Sequence, residues 1–109
     1  MATTRKVLGQ ATVSPATPTS VYTVPASTEA VISSITICNV GESSDTVYVL
    51  VAVDGEATAY KQAIYWHCPV NAKETFVATI GITLSAADQI VFQSTTGSSS
   101  INIFGMEIT

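Results

Sequence analysis

Few residues of this chain carry side chains suited to covalent or acid–base chemistry. It has one histidine, His67, and two cysteines, Cys38 and Cys68. Serine and threonine are abundant, but a hydroxyl nucleophile needs a base beside it, and no G-x-S-x-G segment occurs. His67 sits between Trp66 and Cys68 and reads as a hydrogen-bonded strand histidine, with a pH-sensitive contact as the alternative. Asp54 and Glu56 flank Gly55, and Glu42 and Asp45 follow Gly41. Both pairs fit turn chemistry; calcium binding would need more oxygen ligands in a fixed loop. A zinc site lacks ligands, with a single histidine and no Cys-x-x-Cys. Gly41, Gly55, Gly81, Gly97 and Gly105 stand alone, so no phosphate-cradling loop is present. We expect no catalytic residue, no cofactor and no metal.

What the chain offers is surface for contact. Tyr60, Tyr65 and Trp66 crowd one segment. Neighbours in a regular strand face opposite ways, so Tyr65 and Trp66 should divide between core and exterior. The outer ring reads as a protein contact, a ring packed under a loop, or a sugar-stacking surface. Arg5 and Lys6 are the only adjacent basic pair, and no acidic residue precedes Glu29. They suit an N-terminal arm, residues 1–11, that either meets an acidic partner or is solvated as termini commonly are.

The elements that must hold these groups read as strands. Val21–Asn39 organises the rest: Val21–Val24 is a short run halted by Pro25, and Pro25–Thr28 is a turn. Ala30–Asn39 is a central strand, with Val31, Ile35 and Ile37 on one parity and Ile32 and Cys38 on the other. Thr46–Val53 places Val47, Val49, Val51 and Val53 on one face and Tyr48, Leu50 and Ala52 on the other. Both faces are apolar, yet no helical pattern exists to cover the second. Either a loop or a neighbouring subunit must cover Tyr48 and Leu50. Asp54-Gly55 signals a turn. Tyr60–Cys68 is an aromatic strand, Thr75–Leu84 a strand with Gly81 marking a bulge or close approach, and Gln89–Thr95 and Ile101–Ile108 complete the set. Residues 1–4 should be loose and Lys6–Ala11 a short first strand. This predicts an all-β antiparallel sandwich of about eight strands over residues 12–109, jelly-roll in preference to immunoglobulin-like.

Composition agrees. At 109 residues the chain is one domain, 47% hydrophobic but only 11% charged, against about 25% in an average protein. Serine and threonine make up about a quarter of it. Such a neutral, hydroxyl-rich surface loses little on being covered, because few charges are stripped of water. A net charge of −4 argues against nucleic-acid binding. No apolar run approaches the ~20 residues of a membrane span, and no signal-peptide pattern opens the chain. We expect a soluble protein made in a cytoplasm, with Cys38 and Cys68 as free thiols and a cross-strand disulfide as the alternative. Apolar residues on both faces of Thr46–Val53 point to a homo-oligomer, for which a trimer is the expectation.

The chain also resembles a group of small virion structural proteins of tailed bacteriophages. The likeness runs through VLGQ at Val7–Gln10, VYTVPASTEAVISSITICNVG at Val21–Gly41, N-x-K-E-T-F and IGITLSAAD within Asn71–Asp88, and FGMEI at Phe104–Ile108. It implies a virion component made in the host cytoplasm, present in repeated copies and bound to major capsid or other virion proteins, with no catalytic residues. A compact unit with a flexible N-terminal arm, without coiled coil or repeats, suits capsid decoration, or cement, better than a fibre shaft. Neck, tail or fibre-associated placement is the alternative, and a carbohydrate-binding receptor module the rival from another class. Arg5, Lys6, Tyr48, Leu50, Tyr60, Tyr65 and Trp66 are the expected interface residues.

Overall fold

The alternating runs become nine strands in the computed structural model, which describes residues 2–109: β1 (Thr3–Thr12), β2 (Thr19–Thr23), β3 (Glu29–Asn39), β4 (Asp45–Ala52), β5 (Ala63–Val70), β6 (Thr75–Ala78), β7 (Ile82–Leu84), β8 (Gln89–Ser94) and β9 (Ser99–Ile108). Every strand pairing is antiparallel. One sheet runs β1-β9-β3-β6, with β7 also on β3; the other runs β2-β8-β4-β5. The only helical pieces among the described residues are single 3-10 turns at Val53–Gly55 and Tyr60–Gln62. The chain is therefore an all-β sandwich. The strand expected over Thr75–Leu84 is broken: β6 pairs with Ile35–Cys38 and β7 with Ala30–Ile32, with Gly81 in the interval. Nothing lies within 4 Å of where a Gly81 side chain would start, so the break is an interruption and not a close approach.

β3 is central, as its β-branched content predicts, but its parity changes midway. Ala30 and Ile32 point inward, then Ile35, Ile37 and Asn39 do, because a bulge lies between Ile32 and Ser34. The single-parity face built on Val31, Ile35 and Ile37 is thus corrected: Val31 faces outward. A matching bulge interrupts β1 between Val7 and Gly9. Between them Gly105 of β9 is forced to be glycine, since a Cβ there would collide with the Val31 carbonyl oxygen. Inward residues of the two sheets close one core around Phe92, with Ile32, Ile35, Ile37, Ile90, Ile101 and Ile103 fully buried. Burying each such side chain contributes about 1.5–3 kcal/mol.

Two polar clusters tie the sheets at their ends. Asp45, at the start of β4, is 2% exposed and accepts hydrogen bonds from Ser99 Oγ (2.5 Å), the Thr96 N–H (3.0 Å), the Thr46 N–H (2.8 Å) and Ser94 Oγ. Burial opposes its ionisation, but the hydrogen bonds from Ser94, Ser99 and Thr96 outweigh that and hold the carboxyl below its ordinary value. Nearby, Asn39 donates to the Ser43 and Val70 carbonyls and accepts from the Gly41 N–H and Ser98 Oγ. Across the sandwich, Tyr22 of β2 donates to Glu107 of β9 at 2.7 Å, and Lys6 of β1 meets the other carboxylate oxygen at 2.9 Å.

The short first strand expected at Lys6–Ala11 is present and longer than expected, and Thr3 and Thr4, expected to be loose, belong to it. Thr3–Thr12 is a ten-residue strand laid along β9 from Thr3↔Ile108 to Thr12↔Ser100. Ala2 and Thr109 also exchange backbone hydrogen bonds, so β9 offers a full-length edge that the segment takes up. Met1, part of the stretch expected to be loose, lies outside the described residues.

The outer face of β4 is covered by its own chain. Leu50 and Ala52 are each 1% exposed and cluster with Val91, with Tyr48 packed against them. The 53–62 loop closes over this side, its first 3-10 turn against β8 and its second against β4. Left-handed Asp54 (φ 53°) and Gly55 (φ 71°) turn the chain back, and Gln62 pins the loop by donating to the Ala57 carbonyl at 2.8 Å. A loop, and not a second subunit, covers Leu50. As an interface residue Leu50 is therefore corrected.

Candidate functional site: an aromatic corner on the four-stranded sheet

β5 is the edge strand of its sheet, which is why it runs on through Pro69 without losing a ladder hydrogen bond on its paired side. Its register with β4 slips: Val47 faces Cys68, but Val49 faces Tyr65. Trp66 and His67 therefore stand together opposite Tyr48, and His67 adopts a left-handed backbone (φ 58°) to make the bulge. Both rings close on Tyr48 edge-to-face. Trp66 lies 4.7 Å from it at 70°, and His67 lies 5.9 Å from it at 76°. Tyr60, from the second 3-10 turn, adds a further edge-to-face contact with Trp66 at 5.1 Å and 77°. Each such pair contributes about 0.5–1.5 kcal/mol beyond area burial and fixes ring orientation.

The corner is nonetheless open. Tyr60 is 81% exposed, Trp66 49% and Ile64 41%. Thr58, Ala59, Tyr60 and Trp66 line a shallow cleft of about 390 Å³. Its one nearby ion pair, Lys61 to Glu56 at 3.3 Å, is solvent-exposed and contributes little. Tyr65 takes the other side of β5, as adjacency predicts, and packs inward against the core and edge-to-face on Phe76 at 5.1 Å. A second cleft of about 480 Å³, lined by Ser27, Thr28, Glu29, Ala86, Ile108 and Thr109, has no aromatic ring and one charge.

The structure thus brings Tyr48, Tyr60 and Trp66 together and keeps Tyr65 and Leu50 out of the patch. Arg5 and Lys6 lie on the opposite sheet and on opposite faces of β1. Arg5 sits beside Met106 on the outer face, and Lys6 is held by Glu107. Lys6 and then Tyr22 hold the Glu107 carboxyl below its ordinary value. Burial first, and then Glu107, pushes the Tyr22 hydroxyl well above the usual tyrosine range. Sequence reasoning found the rings of the corner but missed its geometry, because nothing in Tyr65-Trp66-His67 marks the bulge. It placed Val31 on one face with Ile35 and Ile37 and assigned no face to Phe104 and Met106, which point outward with it. Their parity relative to the bulges is the only signal.

Chemically the corner can stack, bury apolar area and accept or donate single hydrogen bonds. Among the described residues no three of His, Cys, Asp and Glu come together in a way that could hold a metal ion. Cys38 lies on the outer face of the five-stranded sheet between Thr75 and Ser100, while Cys68 packs on the core from the other sheet. Both are free thiols. No helix among the described residues is long and apolar enough to cross a membrane.

Searches of protein-family models, curated proteins and solved structures give no match to this chain.

Proposed function

We propose that the protein is a non-enzymatic structural component of a tailed-bacteriophage virion that binds other virion proteins, serving as a capsid decoration or cement protein. The observation that carries the binding reading is the aromatic corner: Trp66 and Tyr60 stand exposed and braced edge-to-face, with Lys61 and Glu56 paired beside them. Such rings are the usual energetic anchors of protein contacts, since they bury large area at little entropic cost. The virion assignment rests on the sequence resemblance; neck, tail or fibre-associated positions use the same adhesive chemistry. The strand order supports the jelly-roll form over the immunoglobulin-like one. Each of β2, β3 and β4 lies in the sheet opposite its predecessor, and β8 and β9 likewise divide between the sheets.

The cleft beside Trp66 favours one second reading, a carbohydrate contact, because Thr58 sets a hydroxyl next to an exposed ring. A single experiment separates the two. Particles lacking the protein are incubated with wild type, Trp66→Ala and Tyr60→Ala, and glycans are screened in parallel. Virion adhesion requires a loss of about 30-fold or more in particle binding for Trp66→Ala, the size of a hot-spot residue. Unchanged particle binding, with glycan binding abolished in the same variant, would replace the structural reading with the carbohydrate one.

A further inference from the structure

We propose that the outer face of the five-stranded sheet binds a second copy of this chain about a two-fold axis running along β9. This goes beyond the virion reading and uses a surface on the far side from the aromatic corner. The residues inward on β9 and β3 fill the core; those between them, Phe104, Met106 and Val31, point away from it and join Val7 of β1, which is 46% exposed. Among the described residues no strand or 3-10 turn crosses this face. It is an apolar centre with hydroxyl and amide side chains around it, and among its strand positions only Arg5 and Glu29 are charged.

The placement of those two charges identifies the occupant. Arg5 lies opposite Met106 on one side of β9, and Glu29 lies opposite Ile108 on its other side. An axis along β9 lays the partner's β3 over β1, one two-residue step out of line. The partner's Glu29 then comes within reach of Arg5 across the ~10 Å spacing of packed sheets, and symmetry repeats the pair. Phe104 and Met106 meet their own copies on the axis. The contact buries no unmatched ion, so it avoids the penalty of an uncompensated charge. Area suffices: the broad side of the molecule measures 45 × 27 Å, against the roughly 800 Å² per partner of a stable interface. One self-complementary patch closes as a pair, whereas the trimer expected from the sequence needs two different patches. The pair leaves both aromatic corners facing outward on opposite sides, so the dimer is a bivalent link.

Sedimentation equilibrium of the full chain tests this. Wild type should sediment at twice the 11.4 kDa chain mass. Phe104→Asp sets two like charges on the axis and should give the single-chain mass. Arg5→Glu should raise the dissociation constant roughly tenfold or more, and Arg5→Glu with Glu29→Arg should restore it. Trp66→Ala should remain dimeric, which keeps this proposal separable from the particle-binding one. If Phe104→Asp fails to fold, the charge-reversal series decides alone, because both its sites are exposed. A wild type at single-chain or trimeric mass would overturn the proposal. So would a dimer that ignores both the Phe104 and the Arg5 changes.

Discussion

Replacing Asp45 with alanine should unfasten one end of the sandwich. Its carboxylate is the common acceptor for Ser94 and Ser99, both fully buried, and for the N–H groups of Thr46 and Thr96. Ser94 also accepts the Gly97 N–H at 3.1 Å, so the β8–β9 turn is organised around the same group. Each donor left buried without an acceptor costs about 1–3 kcal/mol. Ser94 and Ser99 are buried and lose their shared acceptor, whereas Thr96 is exposed and its N–H can turn to water, so we expect a total loss of about 3–5 kcal/mol. Against a domain stability of about 5–15 kcal/mol this is a large fraction. The melting temperature should fall by roughly 12–40 °C at about 4–8 °C per kcal/mol. Asp45→Asn keeps one acceptor oxygen but turns an amide donor on the other hydroxyl, and should lose less. The pH dependence follows from the lowered carboxyl. An acid whose folded pKa lies below its unfolded value binds a proton more readily when unfolded. Its stabilisation is complete above the unfolded value of about 3.9 and is lost as pH falls through the folded one. Urea titration at neutral pH and in acid measures both effects. A variant within about 0.5 kcal/mol of wild type at neutral pH, or one with unchanged acid sensitivity, would refute this role.

Three further outcomes follow from the packing. Gly105→Ala drives a methyl group into the Val31 carbonyl and should destabilise by about 1–3 kcal/mol or more in the same titration, since backbone on both sides must shift. Tyr22→Phe removes the hydrogen bond between the sheets to Glu107 and should cost about 1.5–3 kcal/mol, the range for a charged acceptor, while loss of Tyr22 ionisation moves any alkaline transition. The Tyr22 pKa is raised on folding, so its contribution is complete below the unfolded value of about 10 and lost as pH climbs toward the folded one. Leu50→Ala should cost about 2–5 kcal/mol in the isolated chain, because its own loop covers it; a surface-like loss would return Leu50 to the interface.

Period-two patterning located the strands because burial on one face leaves that trace in any antiparallel sheet. The β4 alternation of Val47 and Val49 against Leu50 and Ala52 was fully legible, and so was the division of Tyr65 from Trp66. Ser33, Leu8 and His67 were not. Each sits at a bulge, where an extra residue flips the parity, and a serine, a leucine and a histidine carry no signature of that role. Turns were placed by composition, yet Ala16, Ser27, Lys73 and Ala87 take left-handed backbone where glycine would be expected. The N-terminal strand was only half legible, because Thr3–Arg5 is polar and gains its partner from β9, just over a hundred residues away. Long-range pairing also hid the outward apolar row on β9: Phe104 and Met106 look like core until the register assigns their face.

Adhesion within a viral particle is the central proposal, and a side-chain-resolution reconstruction of virions purified from the source of this chain tests it most directly. Density for the sandwich should be present in many copies, with Trp66 and Tyr60 buried against a different virion protein. A particle without the chain, or one in which both rings face solvent at every copy, would contradict it.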